Sequence, residues 1–134
     1  MDRTLVLIKP DGIERKLIGH IVSIYEEKSL DIVAFKMIKA TREIAKRHYE
    51  EHADKVYFDE LINYLTEERL CVMILEGENA VEIVRHVNGD KDPLKSEMAS
   101  VRGKYSMHRT RNLVHSSDSK ESAEREIKIW FPEF

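Results

Sequence analysis

The chain of 134 residues has one cysteine, no apolar run near membrane length, and no large surplus of either charge. One thiol cannot close an internal disulfide. Cys71 falls inside Leu70-Cys71-Val72-Met73-Ile74-Leu75, so a buried thiol is expected rather than a metal ligand. A membrane helix needs roughly 18 or more successive apolar residues, and no run approaches that. The N-terminus lacks the basic, apolar and small-residue succession of a signal peptide, so the expected location is cytoplasmic, with no membrane partner. A net charge of -3 gives no general attraction to nucleic acid or to an anionic bilayer. Cations that bind phosphate must therefore be gathered locally. The pattern G-x-x-x-x-G-K-[ST] is missing, which excludes the class that cradles phosphates on backbone amides at a helix start. No carboxylate cluster with metal-ligand spacing stands out, and no linker or repeat divides the chain. The length suits one hydrophobic core, and a single domain over residues 1–134 is expected.

What is present alternates between strand and helix patterns. Arg3 to Ile8 reads as a strand, and Ile18, Ile21, Val22 and Tyr25 share one face of a helix from Ile18 to Ser29. Asp31 to Ala40 is β-rich, with Val33, Phe35 and Met37 alternating. Thr41 can cap a helix through Ile44 and Ala45 to His48 and Tyr49, and Phe58, Leu61, Ile62 and Leu65 mark the next. Leu70 to Glu76 makes a third strand, Asn79 to Val87 a helix, and Leu113-Val114 a short fourth strand. Two strand-helix-strand halves around one sheet suggest an α+β ferredoxin-like sandwich. Inside the second half, Gly89 to Tyr105 has little periodicity, and long irregular stretches in compact domains are usually functional.

Two motifs point to chemistry. In Asn112-Leu113-Val114-His115-Ser116-Ser117-Asp118-Ser119, His115 stands at a strand-to-helix junction. Asp118 or Ser119 can cap the closing helix, Glu121 has capping-box spacing from Asp118, and Ala123, Ile127 and Trp130 recur at helical spacing. The positive end of such a helix favours an anionic ligand, beside which an imidazole can be a nucleophile. At the other end, Thr4-Leu5-Val6-Leu7-Ile8 runs straight into Lys9-Pro10-Asp11-Gly12, where Pro-Asp-Gly reads as a turn. Lys9 then places a cation at the mouth of a sheet.

Together, Lys9-Pro10-Asp11-Gly12, Asn112-x-x-His115-x-Ser117-Asp118 and the helix holding Glu126 resemble, in order, the motifs of the nucleoside diphosphate kinase family. The resemblance spans essentially the whole chain. It implies a ferredoxin-like fold with a four-stranded antiparallel sheet and helices packed over it. It also implies ping-pong transfer of the terminal phosphate of ATP or another nucleoside triphosphate to a nucleoside diphosphate. His115 would be the residue phosphorylated, Glu126 the acid that orients its ring, and Tyr49 a hydroxyl near the histidine and the phosphate. Lys9, Arg85, Arg102 and Asn112 match phosphate and sugar contacts, Tyr57 matches the aromatic that stacks on the base, and Lys91 is a further nucleotide-binding candidate at a phosphate-contact position. Stacking contributes about 1–3 kcal/mol whatever the base, which suits broad specificity. Magnesium (Mg2+) is expected to arrive on the nucleotide phosphates without protein ligands, since it commonly keeps several waters. A homo-oligomer, hexamer or tetramer, is implied; nucleic acid is not an expected partner.

Five positions depart from the family pattern. Lys91 replaces a threonine, Arg109 an aliphatic residue near the base, Met98-Ala99 a Pro-Gly turn, and Ser116 a glycine or alanine. Lys91 is expected to supply charge where a hydroxyl was lost, and Arg109 to stack its guanidinium on the base. Two other functions compete. A nucleotide-binding module without turnover would not require the full set of reactive groups, and a histidine-dependent phosphohydrolase would need a water-activating base or metal site that the sequence does not offer.

Overall fold

The computed structural model describes all 134 residues, Met1 to Phe134. Four strands, β1 (Asp2–Ile8), β2 (Asp31–Ile38), β3 (Leu70–Gly77) and β4 (Val114–Ser116), form one antiparallel sheet in the order β2-β3-β1-β4. That order and the alternation of strands with helices give the α+β ferredoxin-like sandwich. Seven helices accompany it: α1 (Pro10–Glu14), α2 (Ile18–Glu27), α3 (Arg42–His48), α4 (Phe58–Thr66), α5 (Ala80–Asn88), α6 (Val101–Tyr105) and α7 (Lys120–Trp130).

The central strands β1 and β3 are buried on both faces, which is why they read as continuous apolar runs. Val6, Ile8, Cys71, Met73 and Leu75 pack against Ile21 and Tyr25 of α2 and Val84 of α5. Leu5, Leu7, Leu70, Val72 and Ile74 pack against Ala45 of α3, Ile62 and Leu65 of α4, and Ile129 and Trp130 of α7. Cys71 is buried as expected.

The pairing register places the candidate residues. His115 pairs with Leu7, and residues directly opposite share a face. Leu7 and Lys9 also share a face by period-two alternation, and Lys9 N–H donates to Leu113 C=O at 2.8 Å, carrying the contact past the strand end. Both motifs therefore meet on the α3/α7 side of the sheet.

Four details differ from the sequence expectation. Pro10-Asp11-Gly12 opens the short helix α1 instead of forming an isolated turn, because Pro10 occupies a first-turn position where its fixed φ suits a helix. The end of the irregular stretch is helical in α6, started by Ser100, whose Oγ accepts from Gly103 N–H at 3.0 Å. Strand β4 begins one residue late, since Leu113 has φ of 77° and breaks the extended run; His115 is thus the middle residue of β4. Finally, Ser119 is the cap of α7, with Oγ accepting from Ser122 N–H at 3.0 Å, so Glu121 falls short of capping-box position.

Candidate active site

His115 Nε2 lies 3.0 Å from Glu126 Oε1, which also accepts from Ser117 Oγ at 2.8 Å. Glu126 is 4% exposed, on the face of α7 that carries Ala123 and Trp130 into the core. A carboxylate there needs donors, and Ser117 and His115 supply them. Burial raises its pKa. On His115, burial and then the charges of Lys9, Arg102 and Lys91 hold the pKa well below the ordinary histidine value. The ring is accordingly neutral near pH 7, with its nucleophilic lone pair intact.

His115 and Glu126 open onto a cleft of about 630 Å³, also lined by Tyr49, Arg85, Lys91 and Arg102. Its walls are almost wholly polar, which suits a highly charged ligand better than an apolar one. Lys9 and Asn112 stand buried beside it: Lys9 Nζ donates to Asn112 Oδ1 at 3.0 Å, and Asn112 Nδ2 donates to Arg109 C=O at 2.7 Å. Burial, with Arg102 and Lys91 nearby and Asp11 opposing, lowers the Lys9 pKa to about 7. Arg102 is buried too, its guanidinium donating to the carbonyls of Gly89 at 2.6 Å, Val114 at 2.6 Å and Asn112 at 3.4 Å. The side chain that the sequence offered as a phosphate contact also ties α6 and the chain after α5 to β4.

Tyr57 stands apart from the others. It is 43% exposed at the start of α4, its ring 6.1 Å from that of His52, which does line the cleft. Arg109 is exposed and pairs with Asp92 Oδ2 at 3.3 Å, fastening the irregular segment at the cleft rim. The start of α7 is less open to a ligand than the sequence suggested, because Ser119 already occupies the Ser122 N–H; side-chain cations, not that helix end, make the cleft attractive to an anion.

The model of the nucleoside diphosphate kinase family matches residues 2–134. The chain belongs to the nucleoside diphosphate kinase family. A nucleoside diphosphate kinase of Methanocaldococcus jannaschii is 48% identical to it over 98% of this chain and 94% of that protein. In structure it resembles the apo nucleoside diphosphate kinase of Encephalitozoon cuniculi, with a TM-score of 0.96 at 35% identity, covering 98% of this chain and 89% of that one. A nucleoside diphosphate kinase family protein of Babesia bovis gives a TM-score of 0.96 at 38% identity, over 99% and 90% of the two chains. Membership makes this chain an enzyme of phosphate transfer between nucleoside triphosphates and nucleoside diphosphates.

Around the predicted site residues stand others to which the sequence reading gave no role. Ser117 holds both Glu126 and, through Leu5 N–H at 3.1 Å, the edge of β1. His48 packs on the His115 ring, and Trp130 hydrogen-bonds His48. The available signal was Glu126 itself: a charged side chain between Ala123 and Trp130 on an otherwise apolar helix face requires buried partners.

Proposed function

We propose that this nucleoside diphosphate kinase domain, residues 1–134, moves the terminal phosphate of ATP or another nucleoside triphosphate to a nucleoside diphosphate by way of a phosphohistidine at His115, in ping-pong order. The observation that carries the reading is the 3.0 Å contact of His115 Nε2 with Glu126 Oε1 at the edge of a cationic cleft. Glu126 as acceptor puts the ring proton on Nε2 and leaves the Nδ1 lone pair for attack. Nδ1 forms a bond to the terminal phosphorus while the P–O bond to the diphosphate breaks, and the departing oxygen keeps the electron pair. The ring becomes cationic, its Nε2 proton shared with Glu126. A second diphosphate reverses these steps and leaves as the triphosphate.

Negative charge builds on the transferred oxygens and the leaving group, so fixed cations matter more than a base. Arg85 and Lys91 supply exposed charge, Arg102 and Lys9 buried charge, while Tyr49 and Asn112 supply neutral donors. Magnesium would neutralise phosphate charge in the bound nucleotide. The protein's one His/Glu cluster, His48, His115 and Glu126, offers a single carboxylate, a poor match to a cation that prefers oxygen ligands. Magnesium therefore fits as a passenger on the phosphates, and Asp90 and Asp118 at the cleft would face its water shell. Tyr57 stacks on the base and tolerates any of them. Self-association through the open edge of β2 is supported by exposed Val33, Phe35 and Met37. Its substrates belong to the cytoplasmic nucleotide pool, which is the location we assign.

Incubation with ATP labelled on the terminal phosphate tests the reading. Acid-labile, base-stable label on wild type but not on His115→Ala, chased off by GDP, is expected. Label recovered only as free phosphate would replace the kinase by a hydrolase, and no label would leave a binding module.

A further inference from the structure

A buried donor without an acceptor lies beside the nucleophile. His48, the last residue of α3, is 4% exposed, and its ring meets that of His115 edge to face, with centroids 4.4 Å apart and planes at 77°. Trp130 settles where the His48 proton sits. An indole nitrogen can only donate, and Trp130 Nε1 lies 3.1 Å from His48 Nδ1, so Nδ1 must present its lone pair and the neutral ring carries its hydrogen on Nε2. Burial above all keeps that ring neutral. His48 Nε2 is thus an N–H group, enclosed and without a partner.

A ring nitrogen of His48, one of His115 and a carboxylate oxygen of Glu126 lie within 4.8 Å of one another. That is also the spacing of a metal site, but a metal requires a lone pair at the nitrogen where Trp130 enforces a hydrogen. The cluster is built to donate, not to ligate. A buried N–H left unpaired weakens a fold, and its place here fits an acceptor that comes into reach only during the reaction.

We propose that His48 is a positioning residue for phosphoryl transfer, its Nε2–H closing on the Glu126 carboxylate as His115 takes up the phosphoryl group. This rests on the phosphohistidine reading above. When Nδ1 of His115 bonds to phosphorus, the ring gains positive charge and Glu126 must be ionised to balance it. Burial works against that ionisation, and in the resting site the carboxylate accepts only from the neutral donors Ser117 Oγ and His115 Nε2, with the Arg125 guanidinium 3.8 Å from its other oxygen. A further donor from His48 holds the carboxylate ionised and turned toward His115 Nε2 through the step.

Two substitutions separate this role from a packing role. Glutamine places an amide N–H near the position of Nε2, whereas asparagine places an amide oxygen near that of Nδ1 and so serves only Trp130. In single-turnover labelling of the full chain with ATP, His48→Gln should form phosphohistidine within about threefold of the wild-type rate, and His48→Asn about tenfold or more slowly, with nucleotide KM changed less than about twofold in either. Equal rates, or asparagine faster than glutamine, would overturn the proposal. Nitrogen-15 NMR of the wild-type chain tests it without any variant: a hydrogen on His48 Nε2 is expected, and one on Nδ1 refutes it. Wild-type protein that takes no label refutes the phosphohistidine as well, whereas labelled wild type with indistinguishable variants refutes His48 alone.

Discussion

At the scale of single residues, the cleft separates two kinds of cation. Arg85 is exposed and free of protein hydrogen bonds, so Arg85→Ala should lower kcat about 100-fold while leaving Tm unchanged. Arg102 is a bracing side chain as well as a charge. Arg102→Ala strands the carbonyls of Gly89 and Val114 and should cost about 3 kcal/mol of stability, measured by urea unfolding, besides its effect on turnover. Lys9 adds a pH signature. Its pKa of about 7 in the free protein must rise when a polyphosphate arrives, because the anion favours the ammonium form. Binding then takes up protons above pH 7, and affinity falls as pH climbs through that range. Titration calorimetry of ADP at about pH 8 in buffers of different ionisation enthalpy should show uptake approaching one proton, largely abolished in Lys9→Gln; no buffer dependence would contradict the buried, depressed lysine. His115, Glu126 and Lys9 could be picked out from the sequence because motif order singles them out. His48 could not, since its role depends on a nitrogen of Trp130 far along the chain, and periodicity carries no information about which face of an imidazole meets what.

At the scale of elements, the long stretches with a sustained apolar pattern were readable and the short ones were not. Helices α2, α4 and α7 and strands β1 and β3 repeat their apolar pattern over two turns or several pleats. Helices α1 and α6 are five residues each, too short to display any period, and both are set by their starts: Pro10 in one, the Ser100 cap in the other. The position of β4 depends on the left-handed backbone at Leu113, a property that nothing about leucine announces. Capping is where element and site meet. Ser119→Ala removes the acceptor for Ser122 N–H and should cost about 1 kcal/mol, lowering Tm by roughly 3–5 °C. Because α7 carries Glu126, the same change is expected to loosen the His115 ring, seen as broadening of its NMR signals.

At the scale of the whole molecule, the alternation of β2 acquires a meaning opposite to its first reading. Val33, Phe35 and Met37 were the pattern that marked a strand, yet they are the more exposed set, 36–45% accessible along an edge with no neighbouring strand. An apolar row on an unpaired edge is what the proposed self-association would cover. Phe35→Lys should therefore lower the mass measured by light scattering, with far-UV circular dichroism unchanged; an unaltered mass would move the contact elsewhere. The core itself has a practical corollary through Cys71. Its thiol is sealed in the centre of the sheet, and burial pushes its pKa up, so alkylating reagents should find no target on the native protein. A cysteine introduced in place of Tyr57 would then be the sole labelling point, and a fluorophore attached there would report nucleotide arrival against a silent background.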